Sequence, residues 1–265
     1  MRKYNFKDVE ADLKQSALLA GKLLIEKITD DFSVTEKSSF KDLVTTKDIE
    51  IQSFIVNHIK EKYNQALFVS EEMNNNREYV SSELIFVIDP IDGTANYTKG
   101  MKYSCVSIGC LFDGEPVVGV VYNPYTNEMF SAAKGHGAYL NEEPIRVPDM
   151  DLSKSLVLFG TSPYDTDTTE DTFEKVKKIY LKCLDIRRLG SAALDICNVA
   201  CGRAGLYFEG RLSLWDYAAA AAVLSEAGGK FCNYNGQPVE FTLDKTSVIA
   251  GNASIIENSG LIEEK

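Results

Sequence analysis

The sequence is poor in histidine, a common ligand of transition metals. It contains two histidines and six cysteines, and the cysteines form no CxxC pair. Zinc and iron sites are usually built from clustered His and Cys ligands, so this scarcity argues against both metals. Each cysteine lies in or beside an apolar segment. We therefore expect buried free thiols rather than disulfides.

Positive charge is also scarce. The chain has 28 Lys and Arg residues against 39 Asp and Glu residues, which gives a net charge of -11. A field of this sign repels nucleic acids and anionic membranes, so we expect neither as a partner. It also repels phosphorylated small molecules. A phosphate-binding site in this chain therefore needs bound cations that reverse the local charge.

Long hydrophobic runs are missing as well. Residues 1–8 show neither the apolar run nor the small-residue cleavage site of a signal peptide, and no segment approaches transmembrane length. These patterns predict a cytoplasmic protein. Apolar residues nevertheless make up 45% of the 265 residues, which is enough for a large core in one domain or two.

The most informative stretch of the sequence spans residues 84–97. It opens with an apolar run that predicts a buried strand, and Pro90 cannot continue the hydrogen-bond ladder, so we expect the strand to end there. Two carboxylates then stand at the strand end, those of Asp89 and Asp92. Gly93 permits close backbone approach, and a helix opening at Thr94 presents amides that favour an anion. Carboxylates beside such amides indicate metal ions and a phosphate bound together.

Apolar spacing predicts two different halves, with a domain boundary near residue 150. The N-terminal half, residues 1–150, contains two helices, a short strand and an antiparallel meander, and it carries most of the acids discussed below. The C-terminal half, residues 151–265, alternates strands and helices, which is typical of an α/β arrangement. The predicted helices cover residues 6–31, 48–63, 169–181, 190–202 and 217–227, and the predicted strands 67–72, 84–88, 106–112, 116–122, 129–132, 156–159, 186–189, 206–210, 230–234 and 247–250.

Four acids adjoin these predicted buried elements: Glu71, Asp89, Asp92 and Asp216. Each has an ordinary structural interpretation by itself, as a turn or helix cap or as a solvated strand end. Asp216, for example, lies three residues after Ser213, which is the spacing of a capping box. Clustered carboxylates beside buried elements are costly, however, unless cations bind between them. The combination therefore favours a metal site over four separate caps.

Five short motifs occur in order along the chain. They are DLVTTKD at 42–48, SEE at 70–72, DPIDGT at 89–94, RLGSAA at 188–193, and LWD at 214–216 leading into a helix that ends in EAGG at 226–229. Together they closely resemble the inositol monophosphatase family. The resemblance covers residues 6–252, and five ordered motifs are far more specific than any single one. It implies a layered α+β and α/β sandwich of the αβαβα type, with the active site between the two halves.

The resemblance also implies two or three Mg²⁺ ions. The matching ligands are Glu71, Asp89 and the Ile91 carbonyl for the first ion, Asp89, Asp92 and Asp216 for the second, and Glu71 with water for a third. Such sparse coordination suits Mg²⁺, which keeps several waters and binds through a few carboxylates. Lys37 resembles a family lysine that influences metal binding, although a solvated lysine is an equally ordinary interpretation.

The same resemblance implies hydrolysis by a metal-activated water. Asp48 and Thr94 look like the dyad that orients this water and accepts its proton, with Glu71 at the ion that binds it. The amides of Gly93 and Thr94 resemble those that bind phosphoryl oxygens. The residues that resemble the family's substrate contacts are Gly190, Ser191, Ala192 and Glu209. For Glu209, a plain surface position at a strand end is the alternative. Residues 160–165 align only loosely with the family's variable substrate loop, and their role stays open.

We therefore expect a Mg²⁺-dependent phosphatase that hydrolyses a phosphate monoester, with an inositol monophosphate as the first candidate substrate. A homodimer and inhibition by lithium are expected on the same ground. Phosphatases of this fold that act on fructose 1,6-bisphosphate, histidinol phosphate or a 3′-phosphorylated nucleotide are alternatives, because a fold does not determine its substrate. A regulatory binding protein that keeps this fold, for example one associated with transcription or RNA machinery, is a further alternative. The complete ligand set and the acidic surface favour the enzyme.

Overall fold

The computed structural model describes residues 4–26, 33–36, 43–75 and 84–262. Lys37, Asp42 and the predicted helical residues 27–31 lie outside this part of the chain. The described helices are α1 Phe6–Ile25, α2 Thr46–Lys60, α3 Thr94–Thr98, α4 Thr169–Tyr180, α5 Ala192–Ala200, α6 Leu214–Glu226 and α7 Ala253–Ser259. The strands are β1 Val34–Glu36, β2 Leu43–Thr45, β3 Leu67–Ser70, β4 Leu84–Asp92, β5 Cys105–Phe112, β6 Glu115–Asn123, β7 Glu128–Ala133, β8 Ala138–Leu140, β9 Glu143–Ile145, β10 Leu156–Phe159, β11 Asp185–Arg187, β12 Leu206–Leu212, β13 Lys230–Cys232 and β14 Thr246–Gly251.

Two mixed sheets alternate with three layers of helices, which gives the expected αβαβα sandwich. The first sheet has the strand order β3-β4-β5-β6-β7-β8-β9, in which β3 and β4 are parallel and the following pairs are antiparallel. The second has the order β11-β10-β12-β14-β13, with β10 parallel to both of its neighbours. Helices α1 and α2 cover the outer face of the first sheet, α5 and α6 lie between the sheets, and α4 and α7 cover the outer face of the second.

The first helix shows how the apolar pattern becomes a layer. The residues predicted to form one face are buried in the core between α1, α2 and the first sheet; they are Phe6, Val9, Leu13, Ala17, Ala20 and Leu24. Asn5 caps the helix by accepting from the Lys7 amide (3.2 Å). The helix ends at Ile25, because Glu26 leaves the helical backbone with φ -56° and ψ 148°. The predicted helix over residues 6–31 is therefore wrong at Glu26, which lies just beyond the end of α1.

Helix α6 packs on the first sheet almost backbone to backbone. A Cβ added at Gly119 of β6 would lie 2.0 Å from the carbonyl oxygen of Ala219, and one at Gly109 of β5 would lie 3.0 Å from the Ala219 amide nitrogen. The alanines of α6 and the glycines of the sheet together permit this approach. It brings the start of α6, which carries Asp216, close to the edge where β3 and β4 end.

The meander of the first half and the alternating elements of the second half are confirmed, with most bounds within three residues of those predicted. The expected end of β4 at Pro90 is wrong, because the strand continues to Asp92 after an irregularity in its pairing. Helix α7 and the β1–β2 pair had no counterpart in the predictions. The boundary near residue 150 falls between β9 and β10, and the core between the sheets draws residues from both halves. The division into two domains stays a prediction.

All six cysteines are free thiols, as expected. Four of them are buried as predicted, whereas Cys183 and Cys201 are only partly buried. Within the described ranges, none of the helices is long and apolar enough to span a membrane.

Candidate active site

A bulge in β4 sets the directions of two acids. Between Asp89 and Asp92, three steps along β4 match two steps along β5. Side chains three residues apart on a regular strand point to opposite faces, and one inserted residue returns them to the same face. Ile88 and Ile91, which precede the two acids, both lie in the core beside α1 and α2. Asp89 and Asp92 therefore face the opposite side, toward α5 and α6.

Glu71 reaches the same edge because β3 is parallel to β4, and parallel neighbours end at one edge of a sheet. Its amide donates to the Ile88 carbonyl (3.3 Å). Gln52 of α2 holds this segment, since its Oε1 accepts from the Glu72 amide (3.0 Å) and from the Ser70 hydroxyl. The sequence did not indicate Gln52, because a glutamine on a helix has no distinctive pattern.

Asp216 comes from the C-terminal half, in the first turn of α6. The predicted capping box is present, and Asp216 Oδ2 accepts from the Ser213 amide (2.7 Å). The charge of Asp216 contributes to the raised pKa of Asp89, after burial and the charges of Glu71 and Asp92, so Asp216 belongs electrostatically with these acids. Asp216 therefore caps α6 and also belongs to the acidic cluster, so its structural and functional interpretations are compatible.

The charges of these acids contribute to raised pKa values at Asp89 and Asp216. Burial is the largest cause of the raised pKa of Asp89, and the charges of Glu71, Asp92 and Asp216 add to it. Burial is also the main reason why the pKa of Asp216 is raised, followed by the charges of Glu71 and Asp92. Burial raises the pKa of Asp92 to about 6, although hydrogen bonds to its carboxylate oppose this. Ionising this cluster is therefore costly until a cation lies beside it.

The donor set fits Mg²⁺ rather than a transition metal. It consists of carboxylate oxygens together with backbone carbonyls, which hard cations prefer. Within the described ranges, no three His, Cys, Asp or Glu side chains form a ready-made metal site. Asp89 Oδ1 instead accepts from the Ile91 amide (3.0 Å), and Asp216 Oδ2 from its own cap. These bonds leave the second oxygen of both side chains for a cation.

Asp48 and Thr94 meet beside this cluster. Asp48 is fully buried at the start of α2, where its Oδ2 accepts from the Thr45 amide (2.7 Å) and hydroxyl (2.5 Å). Its Oδ1 lies 3.4 Å from Thr94 Oγ1, which is also 3.0 Å from the Ile91 carbonyl oxygen. Since a hydroxyl has one proton, Thr94 donates to one of these acceptors at a time. Asp48 therefore caps its helix with one oxygen and faces Thr94 with the other.

Ser191 is directed at a carboxylate. Its hydroxyl donates to Asp92 Oδ2 (2.6 Å), and the Ala193 amide donates to the same oxygen (2.8 Å). Ser191 Oγ also accepts from the Leu194 amide (3.4 Å) as the cap of α5. The preceding Gly190 has φ +91°, a left-handed conformation that favours glycine. Asp92 and Ser191 together thus satisfy the first amides of α5.

Glu209 is buried, with 6% of its surface exposed, so it is not the surface residue that the alternative interpretation described. Its Oε1 accepts from the Ser162 amide (2.6 Å) and its Oε2 from the Tyr207 hydroxyl (2.5 Å). Burial raises the pKa of this carboxyl, and the nearby Arg188 charge acts in the opposite direction. Ser162 belongs to the loop of residues 160–165, whose role the sequence left open. The structure shows that this loop contacts Glu209.

Comparison with known proteins shows the family of the chain. A model described as "Inositol monophosphatase family" matches residues 7–264. The chain belongs to the inositol monophosphatase family. It is accordingly a phosphatase, a hydrolase of phosphoric monoesters.

Relatives of this phosphatase have different names. A "Nus factor SuhB" from Xylella fastidiosa is 36% identical over 251 residues, which are 91% of this chain and 89% of that protein. "Inositol monophosphatase 2" of Saccharomyces cerevisiae is 36% identical over 229 residues, 82% of this chain and 78% of the yeast protein. The solved structure of an inositol monophosphatase from Anabaena (Nostoc) sp. PCC 7120 has a TM-score of 0.83 at 33% identity and covers 97% of this chain and 95% of its own.

In this inositol monophosphatase family member, Asn96 also supports the site, although no sequence pattern indicated it. Asn96 Nδ2 donates to the Tyr103 carbonyl (2.7 Å) and to the Leu189 carbonyl (2.8 Å), which ties α3 to the loop before α5. Gly93 adopts φ +89° between these segments, and an added Cβ would lie 3.0 Å from the Tyr103 carbonyl oxygen. The close approach that Gly93 was predicted to permit is therefore an approach of the protein's own backbone.

Proposed function

We propose that this phosphatase is Mg²⁺-dependent and hydrolyses a phosphorylated polyol, with an inositol monophosphate as the first candidate substrate. One observation carries the proposal. Acids from three separate segments, Glu71, the Asp89–Asp92 bulge and Asp216, lie together beside the Asp48–Thr94 pair, and their charges contribute to the raised pKa values of Asp89 and Asp216. Such a cluster is stabilised by divalent cations and lies beside a group able to accept a proton.

The ions are assigned to oxygen donors of this cluster. Glu71, Asp89 and the Ile91 carbonyl would hold one Mg²⁺, and Asp89, Asp92 and Asp216 a second, with Glu71 and water as the ligands of a weaker third. When bound, Mg²⁺ lowers the pKa of a coordinated water and neutralises charge on the phosphate and the leaving oxygen. We propose two or three Mg²⁺ ions for each protein chain, and isothermal titration calorimetry with MgCl₂ measures their number.

Thr94 and Asp48 would orient and deprotonate the attacking water. The Thr94 hydroxyl lies within reach of both Asp48 Oδ1 and the Ile91 carbonyl. When that carbonyl is engaged as a ligand, Asp48 is the remaining acceptor for the Thr94 proton. Thr94 Oγ1 then presents its lone pairs to a water, whose proton passes through the hydroxyl to the buried Asp48 carboxylate.

Backbone amides and Glu209 would hold the two ends of the substrate. The amides of Gly93 and Thr94 are assigned to the phosphoryl oxygens. Glu209 is assigned to hydroxyl groups of the leaving polyol, with Gly190, Ser191 and Ala192 lining the same side. Ser191 differs from the others, because its hydroxyl is bonded to Asp92, and we assign its substrate contact to the backbone.

A substrate panel tests this function. We expect the purified protein to release phosphate from inositol 1-phosphate only when Mg²⁺ is present, with a higher kcat/KM than for fructose 1,6-bisphosphate, histidinol phosphate or adenosine 3′,5′-bisphosphate. Asp89→Asn is the matched inactive control. A preference for another member of the panel would replace the substrate assignment, and failure of Mg²⁺ to support any hydrolysis would contradict the mechanism.

Three further properties belong to this proposal. We expect inhibition by lithium, a homodimer and a cytoplasmic location. Phosphate release across a LiCl series tests the first, light scattering behind a sizing column tests the second, and fractionation of cells tests the third.

A regulatory role is a second candidate function, and it is favoured by the relative named Nus factor. Asp89→Asn separates it from catalysis, because this change removes a proposed ligand without adding bulk. If the Asp89→Asn protein reverses the phenotype of a gene deletion, that phenotype depends on a binding role rather than on catalysis. A phenotype that it leaves unrestored belongs to the phosphatase activity.

A further inference from the structure

Glu209 lies at a second irregularity of strand pairing. Between Glu209 and Leu212, three steps along β12 match two steps along β14. The pairing of β10 with β12 ends one residue earlier, at Phe208. Glu209 therefore stands where the sheet opens, and residues of the loop after β10 supply contacts that a neighbouring strand would otherwise make.

Neutral donors approach both oxygens of this buried carboxylate. Tyr207, two residues before Glu209 on the same face of β12, is fully buried and donates through its hydroxyl at 2.5 Å. The Ser162 amide donates to the other oxygen at 2.6 Å. A carboxylate has about four acceptor sites, so two such bonds fix its plane and leave acceptor capacity on each oxygen.

The loop is built to keep Ser162 in place. Ser162 is 3% exposed and adopts φ +41°, the left-handed region that non-glycine residues seldom enter. Its Oγ donates to the Arg211 carbonyl (3.0 Å) and accepts from the Arg211 amide (2.9 Å), which pins the loop to β12. The Arg211 guanidinium and Lys245 both contact Asp165 at the far end of the loop.

Gly160 completes the contact between loop and carboxylate. A Cβ added at Gly160 would lie 1.9 Å from Glu209 Oε2, so only glycine lets the loop approach this closely. A carboxylate that served packing alone would not need two well-aligned donors and a strained backbone around it. The arrangement instead resembles a group held ready for a ligand.

We propose that Tyr207 and Ser162 are positioning residues that hold Glu209 as an aimed acceptor for hydroxyl groups of the leaving alcohol. The loop formed by residues 160–165 thereby determines a preference for polyhydroxylated leaving groups. This inference rests on the proposed function, because it assigns Glu209 to the substrate side of the same site.

The test compares two substrates in a double-mutant cycle. Inositol 1-phosphate offers hydroxyls to Glu209, whereas p-nitrophenyl phosphate has a leaving group without any aliphatic hydroxyl. We expect Tyr207→Phe to raise KM for inositol 1-phosphate about tenfold with little change in kcat, since it loosens one charged hydrogen bond. Both constants for p-nitrophenyl phosphate should stay within about twofold of wild type.

Glu209→Gln identifies whether Tyr207 acts through Glu209. If it does, adding Tyr207→Phe to Glu209→Gln causes no further loss, because the group it positions is already changed. Tyr122→Phe is the matched control, since this buried tyrosine on β6 donates to Asn127 Oδ1 (2.9 Å) away from the site. Ser162→Gly, which tolerates the positive φ and removes the anchor to Arg211, is the second variant if Tyr207→Phe does not fold.

The outcomes separate this inference from the proposed function. Effects that multiply in the double variant, or equal losses on both substrates, would overturn the positioning role while leaving the phosphatase mechanism in place. Absence of hydrolysis of either substrate by the wild-type protein with Mg²⁺ would overturn the proposed function and this inference together. A selective, non-additive rise in KM supports the inference.

Discussion

The Ser191 hydroxyl donates a hydrogen bond of 2.6 Å to Asp92 Oδ2, and so connects the helix α5 to a proposed metal ligand 99 residues away in sequence. The sequence placed Ser191 among the substrate contacts. The structure shows a different task for its side chain, which orients the carboxylate and caps α5 at the same time. Loss of a hydrogen-bond partner of a metal ligand commonly weakens metal binding by about 10- to 100-fold.

Ser191→Ala should weaken Mg²⁺ binding while Ser191→Thr should retain it, because threonine keeps the hydroxyl. We expect about a tenfold rise in the Mg²⁺ concentration that gives half-maximal activity, from the loss of a partner that orients a ligand. Loss of the cap of α5 should also lower the free energy of unfolding by about 1 kcal/mol. Titration calorimetry with MgCl₂ and urea denaturation measure the two effects. Equal Mg²⁺ affinity of Ser191→Ala and wild type would show that the hydroxyl does not act through Asp92.

Thr94→Ala should lower kcat by about a hundredfold, in the range of a lost proton-transfer group, with a smaller change in KM. Thr94→Ser keeps the hydroxyl that faces Asp48 and should keep most of the activity. Thr98→Ala is the matched control, because Thr98 lies on the same short helix and its hydroxyl donates to the Ala95 carbonyl of that helix (3.0 Å). Steady-state phosphate release at saturating Mg²⁺ measures all three. If Thr94→Ser lost as much activity as Thr94→Ala, a packing role of the methyl group would explain the position instead.

Mg²⁺ should stabilise the protein more at about pH 8 than at about pH 5. Burial and neighbouring acids raise the pKa of Asp89 and Asp216, and burial raises that of Asp92 to about 6. A carboxyl whose pKa is higher in the folded state than in the unfolded state binds more protons when folded. Its contribution to stability is complete at low pH and is lost as pH rises through the folded-state pKa.

The Tm of the metal-free protein should therefore fall as pH rises over this window, and added Mg²⁺ should restore it most where the carboxylates are ionised. Thermal denaturation with MgCl₂ and with EDTA across a pH series measures both trends. Asp89→Asn removes one of the repelling charges, so its metal-free Tm should fall less steeply. A stabilisation by Mg²⁺ that does not vary with pH would place the ion away from these acids.

Gly119→Ala should lower the free energy of unfolding by about 3 kcal/mol, because the added methyl group overlaps the Ala219 carbonyl of α6. The overlapping atom belongs to the helix backbone, which cannot move aside as the end of a flexible side chain can. Gly210→Ala is the control, since its added Cβ would lie 3.4 Å from the nearest atom, Thr168 Cβ. Urea denaturation compares the two variants. A loss at Gly119 no larger than at Gly210 would mean that α6 does not need this close contact.

The sequence alone determined the layers of the fold and predicted the chemical type of the site. The apolar face of α1 and the alternation of the meander follow from spacing, since period and burial are local properties of the chain. The acids at the ends of predicted strands and helices, together with the ordered motifs, were enough to indicate a family, a metal type and a ligand set. Asp48, as the first-turn acid of a helix, was visible in the same way.

Only the tertiary structure decided how these residues act on one another. Pro90 predicted the end of a strand. In the structure the strand continues past Pro90, and its pairing with β5 contains a bulge that directs Asp89 and Asp92 to one face. Ser191 and Glu209 carry no local sign that one bonds to Asp92 and the other to Tyr207 and Ser162. Such relationships join residues from different elements. They depend on strand register and on the approach of α5, α6 and the loop after β10, which local spacing does not specify.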